Sequence, residues 1–517
     1  MVLNRLFFSK YQATREIKFY LATFLNLGIL SASILLLSCS GKKPVTAKEE
    51  LVARVGDRTI TRNEFIERAE YTIRPVYCSG DNYIHKKIIL NSLIAEKLLA
   101  IEAGRKNELT ANEHFQRYIE GRQEQAMRQW LYNEVASKKA IVDTTQIKKL
   151  YHIAGRKYDI SFVAMDDSRL ADRVKSEISE KRTSLEEILA SHGLAQKMTR
   201  REVTFDGNED IAVERALFDN PVQKGAVIGP LATEQDGTML MQVNGWTNLP
   251  AITNAAIQQR WKDAADFLKE QKSRTLYDQY VAKLMHGKTI NFIPQTFRRM
   301  VEIAGPLYLK SEAEKKEAFN RMYWGKGRGE VSFDSLGQSI ARIRDYPLFS
   351  IDGKVWTISD FESEMEKHPL VFRQQKIRRG DFAEQLKLAI VDMVRDKYIT
   401  ADAYKRGYDK EPAVVRYRQM WEDNLLASFQ RRKFLESVNC RETDHMKVIS
   451  DYLNPYVKRL QQKYVDRIKI NTRQFEDIKI TSIEMIALRK GDPFPIVVPS
   501  FPQITTLNRL DYGQAMN

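Results

Sequence analysis

The sequence predicts an α+β protein, mostly helical, in which helical lobes carry small β elements and one compact α+β insert. Three observations lead there. The composition is 43% hydrophobic and 29% charged, the balance of a folded, helix-rich chain rather than a disordered one. A strand–turn–strand–helix unit occurs twice. Between the helices of the first copy, and not of the second, lies a block with alternating strand patterns, roughly residues 156–248. At 517 residues the chain is too long for one ordinary core, so two to four domains are expected.

Residues 1–38 read as an export signal. Arg5, Lys10, Arg15 and Lys18 make a basic start, and Phe19 to Leu37 is apolar. The run ends in Leu36-Leu37-Ser38-Cys39 and turns polar at Ser40-Gly41-Lys42-Lys43. A Cys directly after Leu-x-Ser resembles the bacterial lipobox. That resemblance implies that the Cys39 thiol takes a diacylglycerol and becomes the mature N-terminus, attaching the chain to a membrane. The alternative is a transmembrane anchor of about 19 residues, also long enough to span a bilayer. Ser40 rather than Asp follows the Cys, which by resemblance to Gram-negative lipoprotein sorting implies the outer membrane, facing the periplasm. Residues 39–50 form a polar tether. Cys78 and Cys440 lie in different halves of the chain, and spacing leaves open whether they pair.

The repeat comes next along the chain. Val55-Gly56-Asp57-Arg58-Thr59-Ile60-Thr61-Arg62-Asn63-Glu64-Phe65 lies over Ile351-Asp352-Gly353-Lys354-Val355-Trp356-Thr357-Ile358-Ser359-Asp360-Phe361 without a gap. Thr61 and Thr357, or Asn63 and Ser359, are the candidate helix N-caps, with Glu64 and Asp360 in the first turn. Glu96–Ala103 then lies over Asp396–Ala403, and a second long helix follows in each copy, near Phe115–Val135 and Val414–Leu435. Each copy closes similarly, through Lys288-Thr289-Ile290-Asn291-Phe292 and Arg467-Ile468-Lys469-Ile470-Asn471. The expected organisation is a first module of 51–155 plus 249–300, an insert of 156–248, a linker of 301–344, a second module of 345–478 and an extended tail of 479–517. The linker holds Gly325, Gly327 and Gly329, a hinge composition. Four prolines, Pro493, Pro495, Pro499 and Pro502, make the tail a segment that packs across a domain or docks to a partner.

Val52-Ala53-Arg54-Val55-Gly56-Asp57-Arg58-Thr59-Ile60-Thr61, with Glu64-Phe65 after it, resembles the opening of the SurA N-terminal chaperone domain. Helices, then a parvulin domain, then a returning helix is the layout of the SurA/PrsA chaperone-foldases. Within the insert, Ala216-Leu217-Phe218, Gly225, Gly229-Pro230-Leu231, Thr233 and Gly237-Thr238-Met239-Leu240-Met241-Gln242-Val243 are similar to the parvulin C-terminal signature. The departures bear on chemistry. Parvulins place one histidine in the first strand and another in the last, beneath the substrate proline. Here no histidine occurs between Arg156 and Asp167, Met239 takes the last-strand position, and Val213 stands where a pocket Phe is usual. The degenerate pocket implied by the resemblance comprises Ser161, Val163, Val213, Phe218, Met239 and Met241. Prolyl isomerisation needs an apolar slot and polar groups that stabilise a twisted amide, so little or no isomerase activity is expected. His152 and His192 read as surface residues.

The resemblance implies a lipid-anchored envelope chaperone whose partners are unfolded or partly folded exported polypeptides. Met127, Trp130, Met420 and Trp421 on the long helices are candidate client contacts, with core packing as the alternative. The excess of 82 basic over 67 acidic residues gives a formal charge of +15, which favours acidic clients. No zinc spacing, RNA-binding signature or nucleotide loop is evident, so no cofactor, nucleic acid or nucleotide is expected. Two other functions stay open: an active prolyl isomerase with a drifted site, and a structural scaffold lipoprotein of an envelope assembly.

Overall fold

A computed structural model describes residues 50–165, 168–181, 183–205, 209–233, 237–308, 341–373, 377, 379–481 and 493–516. The chain is α+β and mostly helical, as expected. Cys39 and the Gly-rich part of the expected linker lie outside the described residues. In order, β1 (Leu51–Val55), β2 (Arg58–Thr61), α1 (Arg62–Glu70), α2 (Tyr83–Ala103) and α3 (Glu113–Val135) open the chain. The insert and its flanks run through α4 (Thr144–Ala154), β3 (Arg156–Met165), α5 (Ser168–Lys181), α6 (Leu185–Ser191), β4 (Thr199–Val203), α7 (Ile211–Phe218), β5 (Val227–Thr233), β6 (Gly237–Asn248) and α8 (Asn254–Leu284). After β7 (Asn291–Phe292) and α9 (Pro294–Tyr308), the second copy of the repeat comprises β8 (Pro347–Ile351), β9 (Lys354–Thr357), α10 (Ile358–Lys367), α11 (Phe382–Lys405) and α12 (Pro412–Ser437). A π turn at Val448–Leu453 leads into α13 (Asn454–Lys463), β10 (Ile468–Ile470), α14 (Thr472–Glu476) and β11 (Gln514–Ala515). Because α9 continues to Tyr308, helix occupies the first residues expected to be linker.

The two repeat units fold alike for the same local reasons. Gly56 turns one hairpin at φ 63°, and Asp352 and Gly353 turn the other at φ 50° and 74°, backbone that glycine and aspartate tolerate best. Of the two N-cap options, the structure uses the threonines. Thr61 Oγ1 accepts from the Glu64 N–H at 3.0 Å. Thr357 accepts from the Asp360 N–H at 3.2 Å, and the Asp360 carboxylate accepts in return from the Thr357 N–H at 2.9 Å, a reciprocal cap that satisfies two orphan donors.

Closure differs from the sequence reading. The strand expected to close the second copy, β10, pairs antiparallel with β1 of the first, Ala53 opposite Ile470. The strand expected to close the first copy, β7, pairs antiparallel with β8 of the second, Phe292 opposite Phe349. The long helices exchange too: α2 packs along α12, while α3 packs against α10 and α11 as well as α12. A strand of two or three residues has too few side chains to encode which hairpin edge it meets. The repeat therefore reveals segments of like conformation but not their partners. The exchange explains why α2 is buried on nearly every side from Ile88 to Ala100, as a helix surrounded by other elements must be.

The described part of the tail from residue 493 on is an intramolecular strap. Phe494 packs beside Tyr277 and Trp130, Val498 lies against Met420 and Trp421, and Phe501 and Ile504 enter the core around α2. Its carbonyls are held by buried and half-buried donors. Gln129 Nε2 binds Pro495 O at 2.7 Å, Arg68 Nη2 binds Ser500 O at 3.0 Å, and Asn91 Nδ2 binds Leu507 O and Arg509 O, each at 2.9 Å. β11 then adds in parallel to β10, completing the sheet β11-β10-β1-β2.

Candidate functional site

The insert is a four-stranded antiparallel sheet in the order β4-β3-β6-β5. Its first and last strands are the central pair, running from Arg156 opposite Asn248 to Met165 opposite Thr238 with a bulge between Asp159 and Ile160. The alternation that marks β3 in the sequence sorts side chains to two faces. Tyr158, Ile160, Met239, Met241 and Val243 face α4, α7 and α8, whereas Val163, Met165 and Leu240 face α5 and α6.

This splits the pocket expected from the sequence. Val213, Phe218, Met239 and Met241 are fully buried on the first face, and Val163 is fully buried on the opposite one. Ser161 is half-buried and accepts from Asn244 Nδ2 at 2.9 Å. The six residues therefore do not line one pocket. The face carrying Met239 is also filled. Phe205 sits 5.0 Å from Phe218 and 5.1 Å from Phe267, edge to face, and Phe267 belongs to α8, outside the insert. Aromatic burial of this kind welds the insert to the helix that returns from it.

The polar groups on these strands pair with one another. Asp159 accepts from Arg200 Nε at 2.7 Å and from Asn244 Nδ2 at 3.3 Å. The Arg200 hydrogen bond holds the Asp159 carboxyl below its usual range, so it stays ionised. His152 is exposed on α4, and His192, in the turn after α6, has Nε2 3.1 Å from Glu177 Oε1; both stand away from the strand positions at issue.

The four candidate client contacts are core or nearly so. Met127, Met420 and Trp421 are buried, and Trp130 is half-buried against the same cluster as Met127. Arg122 lies over both Tyr118 and Trp421, at 4.8 and 4.7 Å from the ring centroids. The helix exchange accounts for this, since α3 and α12 meet other helices along the faces that periodicity alone leaves open.

Ionic clusters, unremarked in the sequence, sit where the exchanged helices cross. Arg68 grips Glu96 with two bonds of 2.9 and 2.8 Å. Lys97 bridges Glu64 at 2.8 Å and Asp423 at 3.1 Å, and Arg58 reaches Asp423 at 2.6 Å. Asp423 comes from the second copy; the rest come from the first. Burial opposes the Lys97 ammonium, yet Glu64, Asp423 and Glu96 together hold its pKa above the ordinary range. Burial likewise opposes the Glu96 carboxylate, and Arg68 holds it below its range. The reciprocal crossing brings Arg128 of α3 to Thr400 at 2.7 Å, beside Asp396, which pairs with His368 at 2.9 Å. Buried charges are tolerated only when matched in this way.

What the surface offers instead is an apolar ledge at the root of the insert. Ile252 is 83% exposed, and Leu249, Ile257 and Trp261 are exposed as well. Ile257 and Trp261 stand one turn apart on α8, whose first two turns are almost wholly exposed. Tyr151 of α4 extends the ledge, 6.1 Å from Trp261, with Arg260 over its ring and bonded to Leu249 O at 2.7 Å. The i, i+4 spacing of Ile257 and Trp261 was the available sequence signal, but it equals that of a core-facing stripe.

Among the described residues no group of three or more His, Cys, Asp or Glu side chains is placed to hold a metal ion. No described helix is long and apolar enough to cross a membrane. No protein-family model matches the chain, and no curated protein matches it.

Proposed function

We propose that this chain is a lipid-anchored envelope chaperone that binds unfolded exported polypeptides without isomerising their prolines. The observation that carries the reading is the ledge of Leu249, Ile252, Ile257 and Trp261, apolar side chains left in water beside the half-buried Tyr151 and an insert whose strands carry no histidine. Contiguous exposed apolar surface is uncommon on a soluble domain and marks interaction sites. Its rim is basic at Arg260, which suits weak and reversible capture of apolar segments with acidic flanks. The SurA/PrsA-like order of motifs and the lipobox-like Cys39 supply the class and the anchor. By that reading the protein stands on the outer membrane and faces the periplasm.

Aggregation of a urea-diluted outer-membrane protein, followed by light scattering with and without the full chain in detergent, tests the proposal. Suppression at near-stoichiometric ratio is expected, and its loss in an Ile252→Ser, Trp261→Ser double variant with an unchanged unfolding midpoint assigns it to the ledge. Unchanged scattering at every ratio would sink the chaperone reading and turn attention to a dedicated structural partner. The mass of the mature N-terminal peptide tests lipidation of Cys39 separately.

A further inference from the structure

The start of the strap, Pro493-Phe494-Pro495-Ile496-Val497-Val498-Pro499, is held the way a bound peptide is held. It belongs to no helix or strand, and side chains of the crossing helices grip its backbone. Gln129 of α3 donates through Nε2 to Phe494 O at 3.2 Å and to Pro495 O at 2.7 Å, and the Tyr417 hydroxyl of α12 donates to Val497 O. Carbonyl oxygens are common to every polypeptide, so these bonds select an extended backbone rather than a sequence.

The walls around it are aromatic. Tyr277 of α8 meets the Phe494 ring edge to face at 6.0 Å, Arg128 lies over the same ring at 5.6 Å, and Trp130 packs in the same cluster. Val498 seats against Trp421, whose ring is 6.5 Å from that of Tyr417. Aromatic grooves suit proline-bearing extended segments, because proline fixes the backbone beforehand and so reduces the entropy lost on binding. The buried side chains Val498, Phe501 and Ile504 recur every third residue, the repeat of a polyproline-type helix.

The two halves of the strap are held unequally. From Phe501 to Thr505 every residue but Gln503 is buried, and β11 ties the end into the sheet. Before Ser500, Phe494, Pro495 and Val497 are only half-buried, and Ile496 is 47% exposed. A segment with few buried contacts and no ladder opens at lower cost than the part locked in a core.

We propose that the groove of Gln129, Trp130, Tyr277 and Tyr417 is a second polypeptide site, and that residues 493–499 fill it in cis until an extended, proline-bearing apolar segment displaces them. Exported polypeptide as the source of that segment rests on the chaperone reading; the groove itself does not. The tethered occupant acts at a high effective concentration, which makes capture of a short trans segment weak and reversible.

Fluorescence anisotropy of a fluorescein-labelled synthetic peptide with the sequence of residues 493–503, titrated with the full chain in detergent, tests this. Phe494→Ser in the chain loosens the cis segment and leaves the groove intact. A groove free in about 1–10% of molecules binds about 10–100-fold more weakly than an open one, so Phe494→Ser is expected to tighten peptide binding by about tenfold or more. Adding Gln129→Ala or Tyr417→Phe removes donors and is expected to weaken it again by about fivefold. In the unsubstituted chain, saturating peptide is expected to speed hydrogen exchange at residues 494–498 by about threefold or more. A benzophenone in the peptide at the position of Phe494 is expected to cross-link to α3, α8 near Tyr277, or α12. Equal peptide affinity with and without Phe494→Ser, or unchanged exchange at saturation, would overturn the cis occupation. Absence of binding, or cross-links confined to Leu249–Trp261, would overturn the groove. The aggregation assay stands apart: suppression without peptide binding keeps the ledge and removes the groove, and peptide binding without suppression does the reverse.

Discussion

Gly121 gives the sharpest test of the exchanged helices. It sits inside α3, where a helix former should improve on glycine by about 1 kcal/mol. In this fold a Cβ at Gly121 would lie 1.9 Å from Lys367 O and 2.6 Å from its carbonyl carbon. Both are backbone atoms at the end of α10, which comes from the other copy of the repeat. An ordinary carbon–oxygen contact is about 3.3 Å, so Gly121→Ala forces α3 and α10 apart by more than about 1 Å. That movement strains the ion pairs across the crossing, Arg117 with Glu366 at 2.8 Å and Lys367 with Glu120 at 2.7 Å. Overpacking against backbone costs about 1–3 kcal/mol and sometimes more. Taken at the upper end and set against the propensity gain, the net loss is about 2 kcal/mol. Gly305→Ala is the matched control. It too is helical and its Cβ would meet the Phe382 ring at an ordinary 3.5 Å; because Pro306 follows and crowds a Cβ on the preceding helical residue, the usual helix gain is offset and a change within about 1 kcal/mol of zero is expected. Urea unfolding followed by circular dichroism compares the midpoints. If Gly121→Ala unfolds at or above the wild-type midpoint, α3 does not cross α10 as described and the exchanged arrangement is wrong.

Three further outcomes are expected. Asp423→Ala leaves Arg58 and Lys97 short of a buried partner and should lower stability by about 3–5 kcal/mol; a loss below about 1 kcal/mol in urea unfolding would show that the cluster is not sealed from water. Burial, with Glu64 nearby, pushes the Glu67 carboxyl up to about 7. Since the unfolded carboxyl titrates near its ordinary value, the folded state loses stability as pH rises from about 4.5 to about 7 and carries the full penalty above that. Glu67→Gln should therefore stabilise the chain at pH 8, by up to about 3 kcal/mol, and not at pH 4; equal midpoints of variant and wild type at pH 8 would refute the assignment. A proline-containing test peptide should isomerise no faster with the chain than without it, because the strand pair carries Met239 and Ser161 and its apolar face is filled by Phe205, Phe218 and Phe267; any saturable acceleration would mean that an active site exists elsewhere.

Much of the architecture was legible in the residues themselves because its causes are local. The hairpin turns at Gly56 and at Asp352-Gly353, the caps at Thr61 and Thr357, and the alternation of β3 depend on backbone preferences and on neighbours a few positions away. The absence of strand histidines in the insert could be read directly. The tertiary structure alone decided which equivalent segment meets which. β10 against β1 and α2 against α12 join residues hundreds of positions apart, and β7 meets β8 across the whole of the expected linker. Pairing at that range is chosen by the packing of whole surfaces rather than by any short pattern. Hence Met127, Met420 and Trp421, whose helical spacing fits a groove or a core, are buried, while Ile257 and Trp261 at the same spacing stay in water. Periodicity determines that a face is apolar; only the neighbours that arrive decide whether it is covered.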